Sequence, residues 1–159
     1  MEAGNAEDVQ CQVDMNDVMK EVEALLSAPL EESGAQVAVP DLPVVLGSKG
    51  RLIQLFQNLV GNAVKFRGER PPVVKLDCKS DSGRWSFRVQ DNGIGIGEED
   101  REKIFAPLKR LHGASEYEGA GLGLASCQKI VECYGGEIWA EANEEEPGSA
   151  FCFTLPRAA

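Results

Sequence analysis

Asn58, Asn62 and Lys65 follow one another at spacings of four and three residues, which on a helix sets them along one face. A carboxamide oxygen suits a hard cation such as Mg²⁺, which takes oxygen ligands and keeps several of its waters. A neighbouring lysine ammonium can meet a phosphate as a point charge. Read alone, the three residues also fit a plain polar helix edge facing water. Asp91 ends a segment of alternating residues and is followed by Gly93 and Gly95. A carboxylate there would accept from the exocyclic amine of adenine and repel the carbonyl at the same place on guanine. The glycines would let the backbone lie close to a flat base. The same residues also fit an Asp-Asn-Gly turn.

A third stretch, "GAGLGL" at 119–124, puts three glycines in five positions ahead of an amphipathic run. Backbone N–H groups at a helix start can meet phosphate oxygens, and glycine-rich turns before helices also serve packing alone. Two familiar phosphate loops do not match. The spacing is G-x-G-x-G rather than G-x-G-x-x-G after a strand, and no Lys-Ser/Thr follows the last glycine.

These positions need elements to hold them. Val18, Val22, Leu25, Leu26 and Leu30 recur at helical spacing and predict a helix over 17–33, with Asp14 or Asn16 as its cap. Short strands are expected at 35–39 and 44–46. Ser48 then caps a second helix running to about residue 66, its apolar face made by Leu52, Leu55, Phe56, Leu59, Ala63 and Val64. "VVKLDCKS" and "WSFRVQD" alternate on either side of "DSGR" and predict a hairpin. A short helix near 98–104 and an irregular segment at 105–120 follow, the latter long enough to be a lid or binding loop. A third helix is expected over 121–134, stopped by Gly135 and Gly136, and then a closing hairpin, "EIWAEA" and "AFCFTLP". The pattern predicts an α+β fold: a two-layer α/β sandwich whose mixed, mostly antiparallel sheet carries three main helices on one face.

At 159 residues the chain is the size of one domain, with residues 1–12 as a lead-in that is partly disordered or ends in a strand, and the domain over 13–159. A net charge of −10 argues against general nucleic-acid binding, so a polyphosphate would have to be held by local devices. No apolar run approaches a membrane span and the polar start is no secretory signal, which makes the cytoplasm the expected compartment. The five cysteines are scattered, with no C-x-x-C pair, and read as small buried hydrophobes. "EEE" at 144–146, with Pro147 and Gly148, reads as a solvated turn.

The order of the pieces is more specific than any one of them. "QNLVGNAVKF" at 57–66, "DNGIGI" at 91–96, "IFAPLKRLH" at 104–112 and "GAGLGLA" at 119–125 resemble the N, G1, F and G2 boxes of sensor histidine kinase catalytic domains. These are members of the GHKL superfamily with the Bergerat ATP-binding fold. The likeness runs from Val13 nearly to the end, and "RLHGASEYEG" most resembles phytochrome-type sensor kinases. The resemblance implies ATP and Mg²⁺ as cofactors. Asn62 would ligate the metal, Asn58 would support it, and Lys65 would contact phosphate oxygens. Asp91 would read adenine in a pocket shaped by Gly93, Gly95 and Ile96. Lys109 and Arg110 belong to the lid (about 105–120), with Arg110 approaching the γ-phosphate. Gly119, Ala120, Gly121, Leu122, Gly123 and Leu124 would form the phosphate loop, the backbone N–H groups of Gly121, Leu122 and Gly123 facing the phosphates. Ser149 matches a hydroxyl position used near adenine by some members.

Hydrolysing members of the superfamily carry Glu four residues before the metal-binding Asn, where this chain has Asn58. A neutral amide cannot take a proton from water, so the nucleophile must come from elsewhere. The resemblance therefore implies a kinase acting on a histidine of a separate dimerisation hairpin, in cis or in trans, upstream of a response regulator. The domain by itself would be a monomer, with no nucleic-acid partner and no membrane insertion. The only histidine, His112, falls in the lid pattern and lacks the H-E-x-x-x-P context of an acceptor. Ala120 stands where the family usually has Thr. That keeps open a weaker nucleotide-sensing or docking module, beside a serine-directed kinase of the anti-sigma-factor type.

Overall fold

Leu52, Leu55, Phe56, Leu59, Val60, Ala63 and Val64 are all buried, and this stripe makes the helix α3 (Lys49–Lys65) the centre of the molecule. A computed structural model describes residues 11–65, 69–81, 83–95, 118–143 and 148–156. Before α3 come β1 (Cys11–Asp14), α1 (Met15–Leu25), α2 (Ser27–Ser33), β2 (Gln36–Ala38) and β3 (Val44–Gly47). After it come β4 (Val73–Asp81), β5 (Arg84–Asp91), α4 (Glu118–Cys133), β6 (Ile138–Ala142) and β7 (Ser149–Pro156). The main sheet has the order β2-β4-β5-β7-β6, with β2 parallel to β4 and every other pair antiparallel. β1 and β3 form a separate antiparallel pair. The expected two-layer α+β sandwich is the fold observed.

The layers meet at three phenylalanines. Phe56 of α3 sets its ring edge against Phe87 of β5 and Phe153 of β7, at 5.8 and 5.4 Å between centroids. Phe87 and Phe153 are register partners and stack at 5.3 Å. Burying each ring fully is worth about 1.5–3 kcal/mol, and each edge-on pair adds about 0.5–1.5 kcal/mol. The opposite sheet face is polar. There Arg88 pairs with Glu141 at 2.6 Å, and the Trp139 indole N–H donates to Glu141 at 2.7 Å.

Three expectations are corrected. The first helix is two, broken at Leu26. Pro29 has no N–H to donate to Leu25, and its ring crowds that carbonyl, so the chain restarts as α2, in which no residue is buried. Asp14 caps α1 by accepting from Asn16 N–H at 2.9 Å, which leaves the Asn16 side chain to brace Leu42. The third helix begins at Glu118 rather than 121, so the glycine run is its opening turns and the expected lid overlaps it at 118–120. Cys11 and Cys133 are exposed, unlike buried Cys127 and Cys152, because Cys133 ends α4 on its solvent side and β1 is an edge strand.

The end of α4 is as expected. Gly135 takes φ 73°, its N–H donates to Glu132 at 2.9 Å, and Gly136 N–H donates to Val131 at 3.0 Å. The expected lead-in up to residue 10, the helix at 98–104, most of the lid with His112, and the acidic turn at 144–146 lie outside the described residues.

Candidate functional site

Two contacts set α3 against α4 in antiparallel register. Ser48 N–H, at the start of α3, donates to the Tyr134 hydroxyl just past α4 at 2.9 Å. Seven residues along each helix, the Cys127 thiol meets the Leu55 carbonyl at 3.8 Å. Another seven residues, about 10 Å of rise, bring Asn62 level with Ala120 in the first turn of α4. That turn carries the N–H groups of Glu118, Gly119 and Ala120 without intrahelical acceptors, at the positive end of the helix dipole. Those of Gly121, Leu122 and Gly123, the expected phosphate contacts, come after this turn, at positions of the helix where N–H groups have intrahelical acceptors. Leu124 is 2% exposed and belongs to the hydrophobic core.

The sheet brings Asp91 to the same end. Gly136, just past α4, lies against Thr154 of β7, and Gly135 lies against the Arg84 guanidinium. Thr154 pairs with Ser86 of β5. The C-terminus of α4 therefore sits at the beginning of β5, and its N-terminus lies toward Asp91, the last residue of that strand. Asn58 and Asn62, Asp91, and the opening of α4 share one end of the sandwich.

Asn62 is half-buried and its amide nitrogen is buried with no hydrogen-bond partner among the described residues. A half-turn about the last side-chain torsion exchanges nitrogen and oxygen, so this unmatched end can present an oxygen to a ligand. Such an unmet group fits a cation that takes one protein oxygen and fills its other positions with phosphate and water. Asn58 is half-buried one turn earlier, and Lys65 is exposed one turn later.

Asp91 is 6% exposed and already organised. Its Oδ1 accepts from Gly93 N–H at 2.9 Å and from Ser149 N–H at 3.3 Å, and its Oδ2 accepts from the Ser149 hydroxyl at 3.1 Å. A carboxylate has about four acceptor positions, so one on Oδ2 is left for an incoming N–H. Burial pushes the carboxyl above the usual range, and the three donors oppose that shift. Gly93 thus acts through its N–H. Gly95, at φ 79°, packs where a side chain would meet the Gly148 carbonyl. Ile96, Lys109 and Arg110 lie outside the described residues.

Three residues escaped sequence reading. Asn143 donates to the Asp91 carbonyl at 2.8 Å. Asn92 accepts from Val73 N–H at 2.8 Å and donates to the Pro71 carbonyl at 3.2 Å, pinning the loop after β5 to the start of β4. Gly148, expected in a solvated turn, is pressed against Asp91: a Cβ there would stand 2.0 Å from the Asp91 carbonyl oxygen. The Pro-Gly pair before the last strand was the available signal, but nothing local linked it to a residue 57 positions earlier.

The family model described as histidine kinase-, DNA gyrase B- and HSP90-like ATPase matches residues 47–159. The chain belongs to this family. It is 43% identical over 143 residues to phytochrome-like protein Cph1 of Synechocystis, covering 90% of this chain and 19% of that protein. The catalytic domain of histidine kinase ThkA superposes with a TM-score of 0.78 at 28% identity, covering 93% of this chain and 97% of that one. Full-length ShkA in complex with AMPPNP gives 0.77 at 31% identity, covering 98% of this chain and 33% of ShkA. The chain is an ATP-binding catalytic domain of the sensor histidine kinase type, and it spans about a fifth of its phytochrome-like relative. Among the described residues no helix is long and apolar enough to cross a membrane.

Proposed function

We propose that this domain binds ATP with Mg²⁺ and passes the γ-phosphoryl to a histidine on a separate dimerisation hairpin, in cis or in trans. The observation that carries this reading is the meeting, at one end of the sandwich, of an unmatched Asn62 amide, a preformed Asp91 acceptor and the free N–H groups opening α4. Asn62 would hold the metal, whose charge, when bound, offsets that gathering on the transferring phosphoryl group. Lys65, Lys109 and Arg110 would add fixed positive charge, and the first turn of α4 would bind phosphate oxygens through its N–H groups. Asn58 stands where a hydrolase needs a carboxylate, and its amide takes no proton from water. The acceptor imidazole therefore attacks phosphorus as the neutral nucleophile, forming the N–P bond as the bond to ADP breaks. A response regulator would receive the group next. The complex of ThkA with response regulator TrrA supports such a partner. On this reading the domain, from Val13 onward, works as a monomeric module in the cytoplasm, with 105–120 covering the nucleotide.

Mixing the chain with Mg²⁺, labelled ATP and a histidine-bearing hairpin of a phytochrome-like kinase should yield acid-labile phosphohistidine. Asn62→Ala should lower that rate about 100-fold or more, the scale of removing one charge-stabilising group. Acid-stable phosphoserine in place of phosphohistidine would overturn the assignment. Ala120→Thr, which restores the family's usual hydroxyl, should tighten ATP by about 0.5–1.5 kcal/mol in a calorimetric titration. A docking module would gain no transfer from it.

A further inference from the structure

Val74 faces Asp91 in the last rung that β4 and β5 share. One residue further in the same register, the backbone of Asn92 would lie against that of Val73. The chain leaves the sheet instead, and the Asn92 side chain fills the place its backbone gives up. Its Oδ1 accepts from Val73 N–H at 2.8 Å, and its Nδ2 donates to the Pro71 carbonyl at 3.2 Å. A carboxamide sets a donor beside an acceptor as a peptide group does, so it can end a ladder with both strand groups matched. Asn92 is 6% exposed and directs both ends of its amide at the start of β4.

The backbone so released turns at once. Gly93 N–H comes back to Asp91 Oδ1 at 2.9 Å, the contact that together with Ser149 fixes the carboxylate. On the β7 side of the strand, Asn143 holds the Asp91 carbonyl at 2.8 Å. The turn is therefore gripped on both edges, and the grip on the β4 side comes from a residue within the turn itself.

We propose that Asn92 is a positioning residue for purine selectivity. By standing in for strand backbone, it lets the chain turn at Asp91 and aims the Gly93 N–H that orients the carboxylate. It acts through Asp91 and not by touching the nucleotide. The proposal rests on Asp91 reading the adenine amine, and the experiment separates the two ideas.

Binding to the whole chain is measured by calorimetry, with thermal melting alongside, for two non-hydrolysable triphosphates with Mg²⁺. One is an ATP analogue, and the other is the same compound with a purine that lacks the exocyclic amine. The parent should prefer the adenine form about tenfold or more, the worth of a charge-assisted hydrogen bond. Asn92→Ala should weaken the adenine form about three- to tenfold and leave the amine-less form within about twofold, so the preference shrinks. Asn92→Asp keeps the acceptor for Val73 but sets an oxygen against the Pro71 carbonyl, and it should shrink the preference too. That variant carries the comparison even where the alanine does not fold. Asn92→Ala made in Asp91→Asn should remove no further preference, since no carboxylate is left to aim. Equal weakening of both analogues, or a lower melting temperature with the preference intact, would overturn the positioning role while leaving the ATP reading intact. A parent that binds both analogues alike would instead overturn the reading of Asp91, and this inference with it.

Discussion

Asp91→Asn should weaken ATP binding by about 1.5–3 kcal/mol, roughly ten- to a hundredfold in Kd, with no loss of thermal stability at neutral pH. An asparagine keeps the oxygen that accepts from Gly93 and Ser149, and its NH₂ can donate to the Ser149 hydroxyl where the carboxylate had accepted. The pocket stays built, but the position left for an incoming amine becomes a donor. Stability follows from the direction in which the carboxyl is shifted. Its folded value lies above the ordinary one because it is desolvated, so the folded state holds the proton more tightly than the unfolded chain. Any stability tied to that proton is fully present below the ordinary carboxylate range and is lost as pH rises through the raised value. The melting temperature of Asp91→Asn relative to the parent should therefore climb with pH across that window and level off above it. Parallel melts and ATP titrations check both arms. A variant that loses ATP and stability together would mean that Asp91 holds the fold rather than reads the base.

Gly148→Ala should be the most damaging small substitution in the site, costing about 3–5 kcal/mol and lowering Tm by roughly 10 °C. The added methyl would meet the Asp91 carbonyl oxygen at 2.0 Å and the Asn92 Cα at 2.9 Å, both backbone atoms that cannot swing aside. Its φ of 143° is also one that L side chains rarely adopt. Gly83 supplies the control. It takes φ 82° in the tight turn between β4 and β5, but a Cβ there meets nothing within 4 Å. Gly83→Ala should therefore show backbone strain alone, about 1–2 kcal/mol. Equal melting temperatures for the two variants would mean that the loop after Asp91 yields to the methyl.

Much of the site was legible because its signals are local. The stripe from Leu52 to Val64 announces α3, and Asn58 and Asn62 ride on it at a fixed phase. The alternation of 73–80 and 85–91 about a Gly-containing turn announces the hairpin that ends on Asp91. The glycine pair at 135 and 136 announces the end of α4. What stayed hidden is what two distant segments do to each other. Nothing near Gly148 or Asn143 says that they will close on Asp91. Parallel pairing of β2 with β4 likewise depends on where α3 crosses, not on either strand's residues. The break at Leu26 was readable in Pro29, but the apolar spacing from Val18 to Leu30 runs through it and favours one helix.

β7 is the last of the described strands in chain order, yet it lies inside the sheet, between β5 and β6. During synthesis, β5 is therefore finished and keeps a bare, hydrogen-bonding edge until residues 149–156 have been made. Asp91 gains its Ser149 partners only in that final step. A ribosome-bound chain stopped short of β7 would lack this assembled Asp91 site, so on the proposed reading nucleotide could not help the growing domain fold. The half-made sheet would need a chaperone, or a quick finish, to keep its open edge from pairing with another chain.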